Sequence, residues 1–288
     1  MESGSNTTDR RVGERVGKYV LQNLLSEDHL GKAFAALDTE LGRPALVRLM
    51  PRTARQAQRL QELREALLGL KHPNVVETYD CGEDGDFVFI ASERPPEGSL
   101  QTLLHRYAKA GERLPLQQGL ELVRDAAAAL EEAHKRGIVH ADVRPANLLL
   151  WRTGLLEHYT LKVGNFGMAL LESPGGLEDL EHFKGVPTHL APERFQGLPP
   201  TVHSDIYALG VVLYEVATGL LPFEAKDVRD AAIRHIYAQP IPPRQIVPQM
   251  PEALERVILR ALAKKPIDRF VGMGELRDAV QGLLERSA

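Results

Sequence analysis

The sequence is poorest in cysteine. Cys81 stands alone among 288 residues, so no intrachain disulfide framework can form and a reducing compartment is expected. An excess of basic residues is also missing. Lys and Arg number 35 against 39 Asp and Glu, a formal net charge of −4, which argues against a dedicated nucleic-acid binder. No apolar run approaches the roughly 18 residues needed to span a bilayer. The first residues, MESGSNTTDRRVGER, lack the apolar segment of a secretory signal. Neither an internal repeat nor a low-complexity tract occurs, and no sensor domain or membrane anchor is legible. These absences lead us to expect a cytoplasmic protein with no nucleic-acid or membrane partner. What is present is ordinary globular material, 43% apolar and 26% charged, with room for one large domain or two lobes.

Residues 1–16 are polar and without periodicity, which predicts a flexible tail. Strands are expected at YVLQNLL (19–25), KAFAALD (32–38) and ALVRLM (45–50), with a turn at Leu41-Gly42-Arg43-Pro44. From about Arg55, the leucines at 60, 63, 67 and 70 form one stripe at helical spacing, stopped by His72-Pro73-Asn74. VVETYD (75–80) and DFVFIAS (86–92) read as two more strands, with CGEDGD (81–86) as the turn between them. Pro95-Pro96-Glu97-Gly98 reads as a linker. Beyond it the pattern is mostly helical, with helices predicted over 117–136, 205–219, 252–263 and 274–285. The chain thus divides into a small β-rich lobe over 17–95 and a larger helical lobe over 96–288.

Four segments then stand in a telling order: IVHADVRPANLLL at 138–150, Asn165-Phe166-Gly167, GVPTHLAPE at 185–193 and SDIYALGVVLYEVATGLLPF at 204–223. The series resembles the signature set of protein kinases, specifically the bacterial Hanks-type serine/threonine kinases, over about residues 18–285. The resemblance implies an α+β, bilobal kinase-like fold. Its N-lobe would have five strands and one helix, and its C-lobe would be helical. It also implies phosphoryl transfer from ATP with Mg²⁺.

Site by site, the resemblance is uneven. The glycines of the phosphate-covering loop fall at Ser26, Asp28 and Gly31, of which only the last is glycine, and Ala33 replaces the following valine. Ala45-Leu46-Val47-Arg48 matches V-A-x-K, with arginine for the phosphate-holding lysine and Leu46 for a small alanine beside the adenine. The helix glutamate that pairs with that lysine falls on Leu63, unless a one-residue shift restores Glu62; Glu65 lies on the other side. Glu93 and Leu149 match further nucleotide-lining positions. The catalytic loop keeps His140, the hydroxyl-orienting Asp142 and the metal position Asn147, but has Ala141 and Arg144 for its usual arginine and lysine. Asn165 replaces the aspartate that is the chief Mg²⁺ ligand, and a neutral amide oxygen is a weak substitute. Val186 replaces a threonine that would bond the catalytic aspartate.

The scaffold positions survive: Phe166, His140 and Leu67 in the core, Glu193 with Arg269 as partner, and Asp205 beneath the catalytic loop. The leading reading is a pseudokinase. It would serve as a signalling scaffold or allosteric module for a protein partner, an active kinase or another signalling protein, with ATP and Mg²⁺ at most residual ligands. The alternative is an atypical active serine/threonine kinase using Arg48, Asp142, Arg144 and Asn147. A third is nucleotide sensing without transfer, against which Leu46 argues. Asp142 reads either as a base or as a loop-shaping acceptor, and Asn165 as a weak ligand or a turn former. Ser173 and Thr188 are candidate phosphate acceptors. His189 and His203 lack any ligand-spaced cluster and are expected to be solvated or capping, and Cys81 to be a small core or turn residue.

Overall fold

A computed structural model describes residues 12–28, 31–95, 98–153, 158–171 and 186–286. The chain opens with β1 (Arg15–Val16), β2 (Tyr19–Asp28), β3 (Gly31–Asp38), β4 (Arg43–Pro51), α1 (Ala54–Gly69), β5 (Thr78–Asp84) and β6 (Phe87–Ser92). There follow α2 (Leu100–Lys109), α3 (Leu116–Lys135), β7 (Leu148–Arg152), β8 (Tyr159–Val163) and α4 (Met168–Leu171). The chain continues with α5 (Pro192–Phe195), α6 (Val202–Thr218), α7 (Val228–Tyr237), α8 (Pro243–Ile246), α9 (Glu252–Ala261) and α10 (Met273–Glu285). These fall in two compact units. The first holds the described residues through Lys71, Val76–Arg94 and the end of α4; the second holds His72–Val75, Pro95–Ala169 and the described residues from 186 on. Among the described residues no helix is long and apolar enough to cross a membrane.

The first unit is an antiparallel sheet in the order β1-β2-β3-β4-β6-β5. It has six strands, not five, because Arg15–Val16 pair with Val20 and Tyr19. The expected tail 1–16 therefore ends too late: Val16 is fully buried in the sheet core with Tyr19, Leu21, Phe34 and Phe89. Residues 1–11 lie outside the described residues. Two other boundaries move for identifiable reasons. The turn after β3 closes at residues 39–42, where the Asp38 carboxylate accepts from the Glu40 and Leu41 amides and Gly42 takes φ 62°. Pro44 then sits inside β4 opposite Leu37. Pairing with β6 begins only at Leu46, so the missing Pro44 amide breaks no bond on that side. CGEDGD is mostly strand: β5 and β6 pair from Thr78↔Ser92 to Asp84↔Phe87, which leaves Gly85-Asp86 as a two-residue turn with Gly85 at φ 58°.

Helix α1 begins with a capping box, in which the Gln56 amide donates to Thr53 Oγ1 and the Thr53 amide donates to Gln56 Oε1. Leu60 and Leu67 are its buried residues, and it ends before His72-Pro73 as expected. In the second unit, α6 is buried along almost its whole length and runs against α3 and α9. It is apolar nearly all round, as a helix at the centre of a unit must be. The β7–β8 hairpin packs on α3 and carries the segments that form the site described next.

Candidate functional site

Within the second unit, the catalytic-loop residues lie between α3 and β7. The loop is suspended from α6. Asp205, in the first turn of that helix, accepts the His140 amide at 2.8 Å, the Ala141 amide at 2.9 Å and His134 Nε2 at 2.8 Å. These bonds hold Ala141 at φ 66°, a left-handed conformation that costs a non-glycine residue roughly 1–2 kcal/mol. The His140 ring is fully buried. Its Nε2 lies 2.8 Å from the Gly164 carbonyl, which can only accept, so the proton is on Nε2. Nδ1 is then free to accept the Asp142 amide at 3.2 Å. The Phe166 ring meets His140 edge-on at 4.9 Å, joining the loop to the segment after β8.

Above this support lies one chain of polar contacts. Arg144 Nε donates to Asp142 Oδ2 at 3.1 Å. Asn147, 2% exposed in the turn Pro145–Asn147, donates its Nδ2 to both the Asp142 carbonyl and Asp142 Oδ2 at 2.7 Å. The Asp142 carboxylate and carbonyl can only accept, so the Asn147 amide must present nitrogen to them and turn Oδ1 the other way. That oxygen receives Asn165 Nδ2 at 2.7 Å. Asn165 itself stands at φ 62°, where Asn is the commonest alternative to glycine, and its carbonyl accepts the Met168 amide at 3.2 Å. The turn-forming role expected for it is thus present, together with a side-chain bond that sequence reasoning missed. Two amides in positions matching metal ligands could have signalled it.

The family pattern implies Mg²⁺ at this place, and the residues do not fit that ion. Mg²⁺ asks for oxygen donors in near-octahedral array, usually with carboxylates. Here Asn147 Oδ1 faces an N–H donor, and the one carboxylate among the four residues already accepts from Arg144 and Asn147. Among the described residues no group of three His, Cys, Asp or Glu could hold a metal.

The remaining candidates separate. In the first unit, β2 and β3 pair up to Ser26↔Ala33 and Asp28↔Gly31, so the expected phosphate loop is largely strand. Gly31 has φ 94°, and a Cβ there would lie 2.1 Å from the Leu49 carbonyl oxygen. Its glycine is required by the close approach to β4, whatever else it does. Arg48 is buried at 7% exposure on β4, and Leu46 is half-buried opposite Ser92. Leu63 is half-buried while Glu62 and Glu65 are exposed; Glu62 binds Arg59 and Gln58, each at 3.1 Å, so a shifted register does not turn it inward. Glu93 is half-buried and exchanges backbone and side-chain bonds with Glu77. Leu149, in the second unit, is half-buried on β7 opposite Lys162.

Val186 packs with Leu190 and Val228 around Phe195, an apolar use that explains why no hydroxyl is kept. His189 is not solvated: its ring is 13% exposed, with Thr188 Oγ1 at 3.0 Å and Glu215 at 3.4 Å. Ser173 lies outside the described residues. Cys81 is buried as expected, and burial pushes its thiol up to about 11, which removes it as a nucleophile. Glu193 and Arg269 form the expected pair, two parallel bonds of 2.8 Å.

Comparison with known proteins agrees with this fold. The family described as Protein kinase domain matches residues 20–280. Serine/threonine-protein kinase pkn3 of Myxococcus xanthus is 33% identical over 277 residues, covering 91% of this chain and 49% of its own length. Serine/threonine-protein kinase PknD of Mycobacterium tuberculosis H37Rv is 33% identical over 282 residues, covering 96% of this chain and 41% of its own length. The chain thus spans about half or less of the curated relatives it matches. The crystal structure of the PknI kinase domain of Mycobacterium tuberculosis superposes with a TM-score of 0.74 at 23% identity, over 95% of this chain and 99% of that one. At that identity the likeness speaks for the fold.

Proposed function

The chain belongs to the protein kinase domain family, with named serine/threonine kinases among its relatives, and from that premise we propose that it is a signalling module of pseudokinase type. Its Mg²⁺-dependent phosphoryl transfer is severely impaired, and binding to a protein partner carries its function. The observation that carries this reading is the 2.7 Å bond from Asn165 Nδ2 to Asn147 Oδ1. Phosphoryl transfer relies on positioned cations to neutralise charge on the transferred group, since little covalent chemistry is left for the protein. Here the two side chains that match cation ligands are bonded to one another.

A second reading, an atypical serine/threonine kinase, has its own support. The relatives are named as kinases, and Asp142 is held by Asn147 and Arg144 in a loop anchored by Asp205. The deciding experiment is transfer of radiolabel from ATP to a generic protein substrate. We expect no transfer above background from the parent, and a gain of activity in the Arg48→Lys, Asn165→Asp double variant. Transfer by the parent that disappears in Asp142→Ala would replace the first reading with the second.

A further inference from the structure

We propose that Asn165 is a positioning residue whose side-chain amide does the work of a divalent cation, so that the catalytic loop is held in shape without metal. This deepens the reading above and concerns the same site. The chain of contacts runs Asn165 Nδ2 to Asn147 Oδ1, Asn147 Nδ2 to Asp142 Oδ2, and Arg144 Nε to Asp142 Oδ2, at 2.7, 2.7 and 3.1 Å. Every donor in it faces an acceptor. Asp142 fixes which way Asn147 points, and Asn147 then needs a donor on its far side. A carboxylate at position 165 could not supply one. It would set two oxygens 2.7 Å apart, where a cation is the ordinary remedy. Asn165 removes the need by placing N–H where the ion would otherwise act.

The same bond ties the segment after β8 to the turn before β7. It runs in parallel with the Gly164 amide, which donates to the Asn147 carbonyl at 2.9 Å, and with the His140–Phe166 contact. With the His140 Nε2 bond to the Gly164 carbonyl, four direct contacts therefore join the segment after β8 to the stretch from His140 to Asn147. Asp tolerates the left-handed backbone of residue 165 nearly as well as Asn, so Asn165→Asp changes the amide and little else.

The test is thermal unfolding of the full chain without nucleotide, in chelator and in millimolar Mg²⁺ or Mn²⁺. The parent's midpoint is expected to be the same in all three within about 1 °C. Asn165→Asp is expected to melt about 3–8 °C lower in chelator, from loss of a partly buried bond and oxygen–oxygen repulsion. It should recover most of that loss in Mn²⁺, and adding Asn147→Ala should abolish the recovery. A merely structural role would lower the midpoint without any cation-specific rescue. Stabilisation of the parent by Mg²⁺, or an Asn165→Asp protein as stable as the parent in chelator, overturns the proposal. So does a variant that no cation restores. Should Asn165→Asp not fold, Mn²⁺ titration of the parent by electron paramagnetic resonance decides: specific binding lost in Asn147→Ala overturns the proposal, and no specific binding supports it. The radiolabel assay answers separately. A parent that transfers phosphate but shows no cation response without nucleotide would overturn the functional reading and leave this one standing.

Discussion

Glu193 receives both terminal nitrogens of Arg269 at 2.8 Å across 76 positions of sequence, and both side chains are buried. Arg269 also donates to the carbonyls of Ala263, His203 and Lys264, and the Ser204 hydroxyl adds a bond to Glu193 Oε1. Burial by itself would push the Glu193 carboxyl up. The hydrogen bonds and charge of Arg269, with Ser204, outweigh that and hold it below the ordinary value of 4.5. A carboxyl depressed in the folded state stabilises fully above its unfolded value, and the contribution is lost as pH falls through the folded one. Glu193→Gln is therefore expected to cost about 3–5 kcal/mol at neutral pH, because Arg269 is left buried with a neutral partner. Its stability should also decline less steeply than the parent's as pH drops below 4.5. Urea unfolding at stepped pH checks both, and parallel acid limbs for the two proteins would refute the assignment. This pair is legible in the sequence because two separated motifs each contain half of it. The Asn165–Asn147 bond is not, since an amide has both a donor and an acceptor end and only the surrounding bonds say which faces which.

Helix α6 shows how far packing can reverse local preference. Gly210 lies in its middle, where glycine costs about 1 kcal/mol relative to alanine. A Cβ at that position would stand 2.6 Å from Ala261 Cβ and 3.3 Å from the Ala261 backbone in α9. The helices approach through this gap, so Gly210→Ala is expected to destabilise by about 1–3 kcal/mol despite its better helix propensity. Gly282 in α10 is the control: a Cβ there would meet no atom within 4 Å, and Gly282→Ala should stabilise by about 0.5–1 kcal/mol. Chemical denaturation of both variants tests the contrast, and equal signs would show that the α6–α9 contact can relax. At this scale the sequence tells most where periodicity is long. Helices α1, α3, α6, α9 and α10 lie within a few residues of their expected spans. Helices α2 and α7 escape such a reading because ten residues span too few turns for an apolar period to stand out, although Gly111 at φ 70° marks the end of α2. The β5 boundary misleads because Cys81-Gly82-Glu83-Asp84 has turn-like composition, yet it forms the edge strand that β6 needs as a partner.

Over the whole molecule, the order of motifs discloses the family while the chemistry has to be read from a few positions. The relatives at 33% identity are named kinases, and the fold agrees with a solved kinase domain. Relative to the family pattern, Arg48 and Arg144 keep positive charge where lysines usually stand, whereas Asn165 removes a negative charge from the cation position. That combination weakens attraction for Mg²⁺ far more than attraction for phosphate, because Arg still meets phosphate oxygens as a charged donor. Any binding of ATP should accordingly be indifferent to Mg²⁺. A ligand at about 100 times its Kd stabilises by about 2.7 kcal/mol. For a chain of this size that raises the melting midpoint by roughly 5–11 °C, at about 2–4 °C per kcal/mol. Melting curves in saturating ATP, with Mg²⁺ and with chelator, are expected to coincide within about 1 °C. The Asn165→Asp protein is the comparison, in which restoring the carboxylate should make the ATP-induced shift larger with Mg²⁺ than without. A parent whose ATP response requires Mg²⁺ would mean that the cation reaches the nucleotide despite the Asn165–Asn147 bond, and the kinase reading would then take precedence.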